Sequence, residues 1–597
     1  MHNLISFLKE FKFYKKDEIL ESIASFKKRE LLLFISIFIV TFTSFVLLIS
    51  KINNTFSIEV PTDGGSVTEG IIGMTNLVNP VLATSDADKD LTLLVYSGLM
   101  RKSIDGTLIP DLAEEYPTIS TDGKTYTFKI RGDAKFHNGV EVKSDDIIFT
   151  IEKIKDSSIK SPKKIIWDNI NIKKIDEKTI EFILPEPYIY FLDNTTLGIL
   201  PSSLWKKVNS SEFGISPLNI KAVGSGPYKI KSVKKDNDGI PEKYELESFN
   251  NFTLGKPHIK YLTIISYANE KDLIKALNSG SIDQANGISA NNIKNINEND
   301  FNITTATLSR LFGLFFNNTD NKILEDTSVI KAINLSLDRN IIIEQVLGGY
   351  GTPINNPVPE SIVNYNDNIL SNKIEAVSLL EKAGWTLRED GFRAKGGDVV
   401  TTQTKKVNGK TIKQEVKTNT PLTNLVISIT TGDTPELRTT AILVKEQLEQ
   451  IGIKVEIKKV FETGQLNQII RDRDYEVLLF GQVVNNESDL YSFWHSSQKN
   501  DPGLNIAMYN NKKVDTLLES VQNILSFEQR LPKYEDLYKE FNLNIPAVFI
   551  YSPKYLYITS KKLNNVSLDT IRTQSDRFLS IYEWYADKDN VWKVFEK

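Results

Sequence analysis

Residues 425–460 read LVISITTGDTPELRTTAILVKEQLEQIGIKVEIKKV, an apolar run, a helical period and an alternating run in succession. Thr434 stands where a side-chain oxygen caps a helix, Pro435 suits the first helical position, and Leu437, Ala441, Val444, Leu448 and Ile451 recur at spacings of four and three. Gly452 closes the helix, after which Ile453, Val455 and Ile457 alternate as a strand does. A right-handed crossover then makes the two strands neighbours, or nearly so, in a parallel sheet with the helix on one face. The pattern predicts α/β architecture. A similar unit is predicted over 261–285, where YLTIISY, EKDLIKALNSG and SIDQA follow one another and the helix closes at Gly280. Further helices are expected at 328–337 and 374–383, and residues 388–420 read as polar hairpin with a turn at Asn408 and Gly409.

A chain of 597 residues exceeds one core, and about 100–200 residues per domain suggests three or so units. Its net charge of -4 leaves no basic excess for phosphates, which argues against a nucleic-acid partner. Cysteine is absent, so thiolate metal sites, cysteine nucleophiles, disulfides and a thioether-linked lipid are excluded. Residues 31–50, LLLFISIFIVTFTSFVLLIS, carry no charge, and a helix of that length crosses roughly 30 Å of hydrocarbon. No small-x-small cleavage pattern follows, so the run reads as an uncleaved single-pass anchor in the cell membrane. Lys9, Lys12, Lys15, Lys16, Lys27, Lys28 and Arg29 precede it and only Lys51 follows closely, which puts the N-terminus in the cytoplasm and the body outside. Residues 1–30 read as a cytoplasmic amphipathic segment and 51–65 as a linker, with Pro61, Gly64 and Gly65.

KAVGSGPYKI, residues 221–230, has neither the Gly-x-x-x-x-Gly-Lys-Ser/Thr of a phosphate loop nor the third glycine of a dinucleotide fingerprint, and Pro227 disfavours a helix start. Gly224 and Gly226 are expected to serve backbone geometry. Among four histidines there is no paired-histidine metal motif, and no catalytic set is read. His137 reads as a structural hydrogen-bonding residue in a turn. The run SDADKD (Asp86, Asp88, Asp90) lacks the glycine and terminal glutamate of a calcium loop and reads as a solvated or cleft-edge segment.

In order, LVNPVLATSDADKDLTLLVYSGLMR (77–101), GTLIPDLAEEY (106–116), DGKTYTFKIRGDAKFHNGVEVKSDDIIFTIEKI (122–154), VGSGPY (223–228), VIKAINLSLDRNIIIEQVLGGYGTP (329–353) and AVSLLEKAGW (376–385) resemble the extracytoplasmic solute-binding proteins of ABC importers. The resemblance is to the class that binds oligopeptides, dipeptides and nickel complexes. Phe136, His137, Asn138 and Gly139 stand where the family shows Phe-His-Asp-Gly. The resemblance implies a two-lobed, periplasmic-binding-protein type II-like α/β fold with mixed sheets. Lobe I would span 66–305 with an inserted subdomain, lobe II 306–550, and 551–597 would return to lobe I. The hinge would lie near SRLFGLFFNN (309–318) and IPAVFIYSP (545–553).

By the same resemblance, YEVLLFGQVVNNESDLYSFWHSSQ (475–498) lies in the cleft, where relatives pair with an extended peptide and hold its amino group with an Asp. Here that position falls at Val484 or Asn485, neither of which bears a charge, with Glu487 and Asp489 offset, so the chain departs from the family's pattern for a peptide amino terminus. The candidate ligand residues are Gly481, Gln482, Val483, Asn485 and Asp489, with Tyr491, Trp494 and His495 walling a side-chain pocket. Thr84, Ser85 and Asp86 would form the opposite cleft edge. The implied partners are a peptide ligand and ABC permease subunits with cytoplasmic ATPases. No cofactor is implied. The competing readings are an extracytoplasmic peptide hydrolase and a peptide-sensing receptor without transport.

Overall fold

The computed structural model describes Asp17, Glu21 and residues 24–595, apart from 298, 360–361, 364–369, 408–409, 485–486, 488, 523 and 525. Most of the segment 1–30, the Asn408-Gly409 turn and Asn485 therefore lie outside the described residues. Two compact units are present, one formed by 1–62 with 587–597 and the other by 63–586.

The smaller unit is built on the helix Lys28–Phe56, whose large apolar side chains are exposed. Its apolar part, Lys28–Asn53, has 26 residues, enough at 1.5 Å per residue to cross roughly 30 Å of hydrocarbon. The predicted linker is not plain coil. Helix continues to Phe56, and the strand Ser57–Pro61 pairs antiparallel with Lys588–Trp592. Trp592 Nε1 donates to Asn53 Oδ1 (2.7 Å).

In the larger unit the crossover at 425–460 is present. Val426–Gly432 runs parallel to Lys454–Phe461, Val426 opposite Lys454, and the helix Pro435–Glu449 joins them. Thr434 accepts the Leu437 N–H (3.3 Å), and Gly452, with φ +84°, makes the left-handed exit that a side chain resists. The earlier unit differs in one respect. Ile259–Tyr267 and Gln284–Asn286 are parallel but not neighbours, because Gly64–Ile72 lies between them. The helices at Thr327–Ser336 and Lys373–Lys382 fall where their apolar spacing predicts, and Arg393–Val407 with Lys410–Asn424 forms the hairpin.

Buried apolar residues separate into several cores. One gathers Val67 to Ile264 and takes in Tyr555 to Trp584; two lie within 311–551; a small one joins Leu273 to Phe301 with Leu556 and Ile558. Two segments pass between the first core and those of 311–551. Phe301–Leu308 leads through Ser309 into Arg310–Phe316, and Ala547–Ser560 pairs with Phe312–Phe315 along its first part and with Phe301–Thr307 along its last. Ser552 Oγ donates to Leu308 O (2.9 Å) where the two handovers meet. Within the first core's share of the chain stands an inserted antiparallel sheet of Thr118–Ile119, Thr125–Lys129, Thr179–Ile183 and Asn171–Lys174.

The glycine corner at 224–226 serves close approach. A Cβ on Gly224 would lie 2.1 Å from Val95 O, and one on Gly226 2.7 Å from Tyr96 N. His137 clamps this corner: Nδ1 accepts the Gly224 N–H (3.3 Å) and Nε2 lies 3.0 Å from Gly226 O. A ring that accepts at Nδ1 and donates at Nε2 is neutral, and burial accordingly pushes the His137 pKa down to about 4. The solvated reading of SDADKD is corrected for two of its three acids. Asp88 is buried and accepts the N–H groups of Asn76 and Leu77 (both 2.8 Å), while Asp90 is buried against Arg577.

Candidate functional site

Two surfaces in the larger unit have the chemistry of a ligand site. The first is a cavity of about 310 Å³ beside the helix Asp86–Val95, within the range of small-ligand sites. Its walls include Ala83, Thr92, Tyr96, Lys163, Thr196 and Ser575. Thr92 Oγ1, Tyr96 OH and Ser575 Oγ are buried without a hydrogen-bond partner among the described residues. Leaving such a group unmet costs about 1–3 kcal/mol, so each is a place for a ligand or water to bond. Burial also pushes the Tyr96 phenol well above its ordinary pKa, which keeps it a donor.

Cations set the sign of this cavity. Arg101 is paired with Asp111 (3.8 Å) and donates to Leu579 O (3.0 Å), and Lys102 pairs with Asp193 (3.0 Å). Lys163 instead donates to Pro80 O (2.6 Å) and has no carboxylate partner among the described residues. Burial, and then the nearby Lys89 charge, lower its pKa to about 8. A half-buried ammonium beside unmatched hydroxyls suits an anionic or carbonyl-rich guest.

The wall that carries Ser575 is fixed by a buried ion cluster. Arg577 Nε donates to Glu69 Oε1 (2.8 Å), and its two terminal nitrogens donate to Asp90 Oδ1 (2.9 Å) and Oδ2 (2.6 Å). Tyr557 OH (2.8 Å) and Gln284 Nε2 (2.7 Å) complete the Glu69 shell. Burial nevertheless holds the Glu69 carboxyl above its ordinary range, against the pull of Arg577.

The second surface is the end of the strand Val477–Val483. Along one edge it pairs with Arg310–Phe316 over its whole length, whereas on the other edge the ladder with Val426–Gly432 reaches only Leu479. Among the described residues, Phe480 to Val483 therefore have no strand partner on that edge. A Cβ on Gly481 would meet the Phe312 ring at 2.7 Å, so a side chain there would displace that ring. Gln482 is buried with Oε1 unmatched among the described residues, Val483 is half-buried opposite Arg310, and the Val484 N–H is committed to Ser309 O (2.9 Å).

The aromatic wall expected beyond it is mostly core. Trp494 is fully buried among Phe315, Phe541 and Phe549, with ring centroids 5.4–6.3 Å away. His495 is buried too, stacked on Tyr491 (4.3 Å); its Nδ1 lies 2.8 Å from Ser497 Oγ and accepts the Ser497 N–H, so it caps the turn Ser496–Gln498. Only Tyr491 of the three remains partly exposed, and it packs against the same core. Asp489 is half-buried in the first turn of Asp489–Trp494. Glu487, close to the expected ligand position at 484–485, takes hydrogen bonds from Arg530 Nε (3.0 Å) and Tyr534 OH (2.7 Å).

On the other side, Thr84, Ser85 and Asp86 are exposed next to Ala83 of the cavity, but their bonds are local. Ser85 caps the helix through Asp88, and Asp86 pairs with Lys89 (3.9 Å). Sequence reasoning missed Lys163, Tyr96 and Ser575, because each becomes a site group only when distant segments close the cavity.

Comparison with known proteins agrees with this architecture. The family profile described as bacterial extracellular solute-binding proteins, family 5 Middle, matches residues 107–503. The oligopeptide-binding protein AppA of Bacillus subtilis is 26% identical over 507 residues, covering 83% of this chain and 87% of that protein. Its structure in complex with a nonapeptide superposes with a TM-score of 0.64 at 24% identity, over 88% of this chain and all of the other. NikZ from Campylobacter jejuni in complex with Ni(L-His) gives a TM-score of 0.65 at 26% identity, over 88% of this chain and all of that one.

Proposed function

The chain belongs to the bacterial extracellular solute-binding proteins of family 5, and from that premise we propose that it captures peptides between two lobes for an ABC permease. The lobes are 66–305 with the segment that follows 551, and 306–550. Separate cores joined by two crossing segments favour this division, with the hinge at Ser309 and Ser552. The first-core segment ends near Trp584, while Lys588–Trp592 belongs with the anchor unit. The helix Lys28–Phe56 is an uncleaved anchor with the body outside the cell, and the permease and its ATPases are the partners at that membrane.

The observation that carries the peptide reading is the open ladder edge of Phe480 to Val483. An extended peptide adds a strand to such an edge, and the backbone bonds give affinity that tolerates many sequences. Thr84, Ser85 and Asp86 contribute the rim of the first-lobe cavity, and Lys163 receives a carboxylate or carbonyl of the guest. Glu487 is already bonded to Arg530 and Tyr534, so the peptide amino group is not the anchoring point. Closure is driven only by contacts that the guest makes better in the closed form than in the open one.

The test is calorimetry of the full chain in lipid nanodiscs with a pool of nonapeptides in three forms: free, N-acetylated and C-amidated. Free and acetylated pools bind alike and the amidated pool binds about tenfold more weakly, as expected for loss of one charge-assisted bond. Lys163→Met removes that difference. Binding abolished by N-acetylation, or absent from all three pools, overturns the proposal.

A further inference from the structure

Tyr190 belongs to the inserted part of the first lobe, directly before Phe191 at the centre of that lobe's core. Its side chain is 8% exposed, yet its hydrogen bonds run to the other lobe. The Tyr190 OH donates to Glu487 Oε2 (2.9 Å) and lies 3.0 Å from Tyr534 OH. The Arg530 guanidinium sits 5.9 Å from the centre of its ring. Within the second lobe, Glu487, Arg530 and Tyr534 already form a complete set through the Arg530–Glu487 and Tyr534–Glu487 bonds. Tyr190 is thus a guest in a socket that stands without it.

We infer that this contact is a latch that sets the balance between closed and open lobes, with Tyr190 as a positioning residue for ligand capture. The hinge strands join the lobes covalently and hold in both forms, whereas the Tyr190 contact spans two cores and exists only when they meet. Closure takes the phenol from water to a carboxylate and lays its ring beneath a guanidinium, two contacts that the open form lacks. A ligand then needs to supply that much less differential contact to close the protein, and its apparent affinity rises by the same factor. The socket also explains why an acid occurs at 487 without being available to a peptide amino group.

The inference rests on the two-lobe reading, and the experiment separates the two. The chain has no cysteine, so Ile215→Cys in the first lobe (83% exposed) and Ile374→Cys in the second (86% exposed) take a single dye pair. Single-molecule energy transfer on the full chain in nanodiscs, without peptide, counts closed and open molecules. Tyr190→Phe, which keeps the ring, is expected to lower the closed-to-open ratio about tenfold. Tyr190→Leu, which loses the ring as well, lowers it further, and neither variant shifts the melting temperature by more than about 2 °C. In a Glu487→Gln background, Tyr190→Phe changes the ratio less than about twofold, because the pair is coupled. Two populations whose ratio ignores Tyr190→Phe overturn the latch alone. A single invariant distance in every variant overturns the two-lobe reading and the latch with it.

Discussion

Arg577→Met puts a number on the buried cluster that holds the cavity wall. The guanidinium is fully buried and makes its bonds to Glu69 and Asp90 at 2.6–2.9 Å, on a strand and a helix distant in sequence. Removing it leaves two carboxylates in the core, with Tyr557 and Gln284 still serving one oxygen of Glu69. Breaking a buried pair in this way costs about 3–5 kcal/mol, most of it the desolvation of the acids left behind. The methionine refills the volume, so a cavity adds little. Hydrogen exchange of the Gly64–Ile72 strand in the full chain reads the loss locally, as exchange roughly 10²–10³-fold faster. Burial already holds the Glu69 carboxyl above its ordinary pKa, so its stability contribution is present below the unfolded value and is lost as pH rises through the folded one. Without the guanidinium that window widens, and the defect is smaller at pH 5 than at pH 8. The control is Glu69→Met, Asp90→Leu and Arg577→Met together, which removes the charges with their partner and recovers most of the loss. A triple variant as damaged as the single one, or a single variant that loses less than about 1 kcal/mol, refutes the desolvation argument.

Gly224→Ala forces a Cβ to within 2.1 Å of Val95 O, a backbone atom that cannot rotate away, and is expected to cost about 3 kcal/mol in urea unfolding. Gly132→Ala, with nothing within 4 Å of its Cβ, stays within about 0.5 kcal/mol of the parent. His137 is neutral when folded, with a pKa near 4 against 6.5 when exposed, so the parent loses stability as pH falls from 6.5 through 4, by about 3 kcal/mol in all. His137→Gln does not titrate there, and its melting temperature loses that share of the acid dependence. An identical pH profile for both proteins removes the buried-imidazole explanation.

Local punctuation made the crossover at 425–460 legible: cap, proline, helical spacing and exit glycine are all short-range signals, and the structure follows them. The unit at 261–285 was legible as strand, helix, strand, but not as non-neighbours, since the intervening strand Gly64–Ile72 comes from nearly two hundred residues earlier. Trp494 and His495 looked like pocket walls because aromatic and polar residues follow an apolar strand in both settings. The burying partners, Phe541 and Phe549, come from later elements, so burial was invisible in the local sequence. Asp88 and Asp90 misled for a similar reason. An acid one turn into a helix looks solvated until the loop at Asn76 and the distant Arg577 supply its donors.

The acids of this protein also bear on what it captures. Asp88 closes a loop, Asp90 and Glu69 hold Arg577, and Glu487 is shared by Arg530, Tyr534 and Tyr190, so each has hydrogen-bond partners from the protein itself. Of the cations lining the first-lobe cavity, Lys89, Arg101 and Lys102 are paired with acids, and Lys163 has no carboxylate partner among the described residues. In the proposed complex a guest that brings a carboxylate would supply the missing partner, whereas one that presents an ammonium there would meet a like charge. Sequence tolerance and end discrimination then have separate origins. In the proposed peptide complex the edge at Phe480 to Val483 would take an extended backbone, and Lys163 would select which end of that backbone lies in the cavity.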